Sequence, residues 1–102
     1  MGIFLVNGRM AHVYFTYDEA LRFIEKVRQT EYIILGGDVL NENREYTYIN
    51  WYYQPSKKEN ATSESCDYAH RFIMNLQDHE KYLYDFVFNT FENCTIGQLK
   101  DS

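Results

Sequence analysis

The sequence predicts an α+β two-layer sandwich, a mostly antiparallel sheet of about five strands with two helices on one face. Three observations lead there. Two segments place apolar residues at i, i+3, i+4 and i+7 (Ala20, Phe23, Ile24, Val27 and Ala69, Phe72, Ile73, Leu76), the spacing of a helix with one buried side. Around them lie short β-forming runs, two of which adjoin as a hairpin instead of alternating singly with helices. The 102 residues include ten Tyr, seven Phe and one Trp but only five Gly and one Pro, so the chain has much to bury and few places to break. One domain spanning residues 1–102 is expected, with a frayed tail from about residue 94.

In chain order, Ile3-Phe4-Leu5-Val6 reads as a first strand. Asn7-Gly8 tolerates the positive φ of a tight turn, and His12 to Phe15 reads as the returning strand. Thr16 opens a helix through the capping box Thr16-x-x-Glu19, and Asp18, Arg22, Glu25, Lys26 and Arg28 give that helix a solvated face. Tyr32 to Leu35 is a central strand that continues past Gly36-Gly37, with a bulge, into Asp38-Val39-Leu40. After a turn over 41–44, Tyr46 to Tyr53 is a strand with Thr47, Ile49 and Trp51 on one face and Tyr46, Tyr48 and Tyr52 on the other. Gln54 to Ser65, which holds Pro55, reads as a loop ending in a helix capped by Ser63 or Ser65. Tyr82 to Phe88 is the last strand, with Tyr82, Tyr84, Phe86 and Phe88 on one face.

Fifteen acidic against ten basic side chains give a formal charge of −5, which argues against a nucleic-acid binder and against an anionic membrane surface. The excess lies in residues 31–102, with twelve acidic and six basic groups, against three and four in 1–30. A basic partner would be attracted. No apolar run reaches a membrane span, and the first fifteen residues lack a signal-peptide pattern, so a cytoplasmic protein is expected, with Cys66 and Cys94 as free thiols.

No constellation of residues meets the membership that catalysis or metal binding needs. Cys66 and His70 share a helix face, but His79 and Cys94 complete no metal pattern, so no metal and no cofactor are expected. Gly36-Gly37-Asp38 is too short for a phosphate cradle, lacks a lysine, and fits a strand bulge. Asp38, Glu42 and Glu45 offer carboxylates along one hairpin, better read as an acidic rim than as an acid–base pair. Tyr46, Tyr48, Trp51, Tyr52 and Tyr53 are more aromatic surface than a one-sided core absorbs, and exposed Tyr and Trp are interface anchors.

Ile34-Leu35-Gly36-Gly37-Asp38-Val39, then Trp51-Tyr52, then Ser65 followed by Ala69 and Phe72-Ile73 resemble, in order and spacing, immunity protein family 40 of bacterial polymorphic-toxin and contact-dependent inhibition systems. The resemblance runs over about residues 16 to 88, beginning with the helix of Thr16-Tyr17-Asp18-Glu19-Ala20. It implies a non-enzymatic cytoplasmic protein that binds a cognate toxin domain, a nuclease or another toxin acting in the cytoplasm, and blocks it. Asp38, Glu42, Glu45, Tyr46, Tyr48, Trp51, Tyr52 and Tyr53 are then the candidate contacts. A small interaction module of unrelated role and a small enzyme centred on Asp38 and a histidine remain the alternatives.

Overall fold

The structure, a computed structural model, describes residues 14–92 and the backbone of residues 5–6 and 9–10. Its elements are β1 (Leu5–Val6), β2 (Arg9–Met10), α1 (Tyr17–Val27), β3 (Tyr32–Leu40), β4 (Tyr46–Tyr52), α2 (Ala61–Asn75), a 3₁₀ turn (His79–Lys81) and β5 (Leu83–Thr90). The α+β class holds, but the single sheet of about five strands does not. Among the described residues the main sheet has three antiparallel strands in the order β4-β3-β5, and β1 and β2 pair only with each other. Of the expected returning strand His12 to Phe15, residues 12–13 lie outside the described residues, and Phe15 forms one rung in which the Phe15 and Tyr84 N–H groups each donate to the other's carbonyl at 2.8 Å. The Asn7-Gly8 turn and the tail from about residue 94 lie outside the described residues.

Both helices cover one face of this sheet. Ala20, Phe23, Ile24 and Val27 of α1 and Cys66, Ala69 and Ile73 of α2 form one cluster with Ile34, Val39, Trp51, Tyr84 and Phe86 of the strands. Phe72 and Leu76, expected in the core, are half-buried at its margin; Leu76 is already the C-cap, because α2 ends at Asn75. Phe86 meets its neighbours edge-on or tilted, at 5.5 Å from Phe15, 4.7 Å from Phe23 and 5.6 Å from Trp51, the offset geometry that ring quadrupoles favour. At the start of α1 the Thr16 hydroxyl accepts from the Glu19 N–H and the Glu19 carboxylate accepts from the Thr16 N–H, completing the capping box and holding the Glu19 carboxyl below its ordinary range.

Helix α2 starts earlier than expected. Its N-cap is Asn60, in the left-handed conformation and without a side-chain cap bond, so neither Ser63 nor Ser65 caps it. Ser65 is fully buried inside the helix. Its hydroxyl donates to the Thr62 carbonyl at 2.9 Å and accepts the Ile34 N–H at 3.0 Å. The β3–β4 register begins at Gly36–Tyr52, so Ile34 has no β4 residue beside it, and a serine on the overlying helix satisfies the amide that the sheet leaves over.

Candidate functional site

Gly36 and Gly37 set the shape of the sheet where β3 is sandwiched between β4 and β5. The β3–β5 register slips between Ile34 and Gly36, confirming the bulge. Gly36 has φ +155°, and a Cβ there would stand 2.3 Å from the Trp51 carbonyl oxygen. A Cβ on Gly37 would stand 2.3 Å from the Asp85 carbonyl oxygen and 2.4 Å from the Trp51 ring. The two glycines let three strands and the Trp51 indole come together, and their backbones lie in the ladder, so no phosphate cradle is formed.

Residues alternating with that helix-side set make the other face of the sheet. Asp38 stands opposite Asn50 on β4 and Asp85 on β5, and Gly36 opposite Tyr52 and Val87. Tyr46, Tyr52 and Val87 are exposed, the tyrosines by 50% and 85%, and Tyr48 is 92% exposed. A shallow depression of about 410 Å³ lies among Leu35, Gly36, Asp38, Asn50, Tyr52 and Val87, and no histidine among the described residues lines it. Asp38 puts a partly exposed carboxylate on this face, while Asp85, its neighbour across the β3–β5 rung, is buried. Partial burial first, and then the charges of Asp85 and Asp38, hold the Tyr46 phenol above its usual range, so it stays a neutral hydrogen-bonding group.

The hairpin tip beside this face is rigid and acidic. The Asn41 side-chain carbonyl accepts from the N–H groups of Asn43 and Glu45, while its amide donates to the Glu45 carboxylate at 3.0 Å. Arg44 takes the left-handed conformation that closes the turn, and its guanidinium lies 5.8 Å from the Tyr14 ring centroid, a cation–π contact. Glu42 and Glu45 remain exposed.

Of the eight sequence-derived candidates, six are on this surface: Asp38, Tyr46 and Tyr52 on the face, Glu42 and Glu45 at the tip, and Tyr48 on β4 between them. Two are not. Trp51 is buried, 5.1 Å from the Phe72 ring, because strict alternation turns it toward the helices. Tyr53 is half-buried on the same side, its ring 6.0 Å from Tyr68 and its hydroxyl donating to the Glu64 carboxylate at 3.1 Å. Sequence reasoning missed Val87 as part of the patch, although its position opposite Phe86 in the alternation of β5 marks it as turned away from the core.

The residues weighed for chemistry gather no third ligand among the described residues. Cys66 is buried, which pushes its thiol up, and His70 lines a surface recess with Glu25, Arg28, Asp67 and Arg71. His79 stacks on Tyr17 at 4.2 Å on the helix side, remote from the face that carries Asp38. Among the described residues, no three His, Cys, Asp or Glu side chains converge as a metal site, and no helix is long and apolar enough to cross a membrane.

What these layers define is a small α+β protein that presents acidic and tyrosine side chains from one hairpin. The model of the family Immunity protein 40 matches residues 4–88, and the chain belongs to that family. Membership gives it an immunity-protein role and implies a toxin as its partner. No curated protein and no solved structure matches the chain.

Proposed function

We propose that this protein neutralises a cognate toxin domain in the cytoplasm by one-to-one occlusion, through the β3–β4 hairpin and the exposed part of the second sheet face around Tyr46, Tyr52 and Val87. The observation that carries this reading is the joint display of Tyr46, Tyr48 and Tyr52 with Asp38, Glu42 and Glu45 on one hairpin of an immunity-family protein. Tyrosine is the residue type that anchors interfaces, and an acidic rim speeds the approach of a basic toxin such as a nuclease. Binding needs no turnover, so no catalytic residue is invoked. A standard interface takes about 800 Å² from each partner, within reach of a sheet face with its hairpin tip.

The rim charges and the tyrosines act at different stages. With Glu42 and Glu45 both changed to Lys, association with the toxin domain encoded beside this gene is expected to slow about tenfold at low salt, an effect that shrinks as salt is raised, while dissociation changes little. Stopped-flow or surface binding kinetics read both rates. An association rate unmoved by the double reversal at every salt concentration excludes the hairpin tip from the encounter.

A further inference from the structure

Tyr48 lies where β4 leaves the regular strand path. Between the rungs Asp38–Asn50 and Leu40–Tyr46, β3 advances two residues and β4 four, so β4 bulges outward, and Tyr48 takes φ +69°. Among the described residues, four that are not glycine have positive φ. Asn60 and Asp78 are residue types that tolerate it and precede helical segments, Arg44 closes a hairpin turn, and Tyr48 alone lies inside a strand. For a bulky side chain this conformation is a genuine outlier, because Cβ crowds the following carbonyl.

Tyr48 does not choose this geometry; its neighbours impose it. The Thr47 hydroxyl donates to the Val39 carbonyl at 2.8 Å across the ladder and accepts the Ile49 N–H at 3.2 Å, fixing the backbone on both sides of the bulge. The tyrosine ring returns nothing to the fold. It is 92% exposed and makes no ring contact with a described residue. A position serving the fold alone would carry Gly or Asn, so an unfavourable backbone beneath an exposed aromatic points to use in binding. The bulge also interrupts the outer edge of β4, which discourages strand addition and favours recognition through side chains.

Resting on the immunity reading above, we infer that Tyr48 is a pre-organised anchor that enters an apolar, ring-sized cavity on the toxin, rimmed by lysine or arginine side chains that face Glu42, Glu45 and Asp38. Tyrosine suits the task, since it offers a large contact area with two side-chain torsions to immobilise, and the fixed bulge removes the backbone contribution to the ordering cost. The acidic neighbours supply the charge complementarity that selects the rim.

The test compares Tyr48→Asn, which keeps the left-handed backbone and removes the ring, with Tyr48→Phe, which keeps the ring. The probe is the toxin domain encoded beside this gene. The Asn variant is expected to unfold at the same or a higher denaturant midpoint and to leave the toxin about thirtyfold faster or more, while the Phe variant leaves at close to the wild-type rate. Unchanged dissociation of the Asn variant, with wild type binding normally, overturns the anchor. So does a fall in its midpoint comparable to that of a core truncation, since the ring would then serve the fold. Failure of the wild-type protein itself to bind contradicts the immunity reading first, and this inference with it.

Discussion

Replacing Trp51 with alanine is expected to lower the free energy of unfolding by about 3–5 kcal/mol, the largest effect of any substitution considered. The indole is 4% exposed and fills the space between sheet and helix, with the Phe72 ring at 5.1 Å and the Phe86 ring at 5.6 Å. Its removal leaves a cavity bounded by β3 on one side and α2 on the other. Neither can collapse into it freely, since Ser65 ties α2 to the Ile34 amide. A small domain has about 5–15 kcal/mol in total, so the variant is expected to be close to unfolded under mild denaturant. Equilibrium denaturation in urea measures this. A loss under about 1 kcal/mol shows that the indole is not the packed link between layers described here.

Gly37→Ala is expected to cost about 3 kcal/mol, because the added methyl meets two obstacles of different kinds. The Asp85 carbonyl oxygen, 2.3 Å from the new carbon, belongs to the β5 backbone and moves only with the sheet. The Trp51 ring, 2.4 Å away, is a side chain locked by its neighbours. Deleting that ring relieves the second obstacle and not the first. The Gly37→Ala/Trp51→Ala double variant should therefore be more stable than the sum of the single losses predicts, by about 0.5–3 kcal/mol, while remaining less stable than Trp51→Ala alone. Strict additivity of the two losses contradicts the packing of the indole on Gly37.

Local chemistry made much of this fold legible. Thr16 and Glu19 announce a helix start through a reciprocal pair of hydrogen bonds, and the apolar spacing from Ala20 to Val27 gives its buried side, all of which needs no knowledge of the rest of the chain. The alternation in Tyr82 to Phe88 likewise separates Tyr84 and Phe86 from Asp85 and Val87. What was not legible depends on distant partners. Ser65 looks like a helix cap until the Ile34 amide 31 residues away is seen to need an acceptor. Trp51 and Tyr53 look available as binding residues until the helices are placed over one face of β4. Among the described residues Phe15 meets the sheet at one rung, beside Tyr84 of β5, and no property of the N-terminal residues reveals that neighbour.

The same distinction applies to the candidate surface. The acidic residues of the β3–β4 hairpin and the excess of tyrosine on β4 are visible in the sequence, and together they suggest a basic, protein-sized partner. The left-handed bulge that lifts Tyr48 out of the strand is not, since tyrosine is among the last residues that sequence reasoning would put at positive φ. It follows from the Thr47 bridge to Val39 and from a register slip of two residues, both properties of the assembled sheet.

Amide hydrogen exchange of the protein, free and saturated with its cognate toxin domain, distinguishes the two layers as binding surfaces. Binding through the β3–β4 hairpin slows exchange in β4 and the hairpin tip, centred on Asn43, Glu45, Tyr48 and Asn50, and leaves the outward surface of α2 unchanged. Protection confined to α2 and to residues 54–60, with β4 exchanging as in the free protein, would place the toxin on the opposite layer and contradict the account.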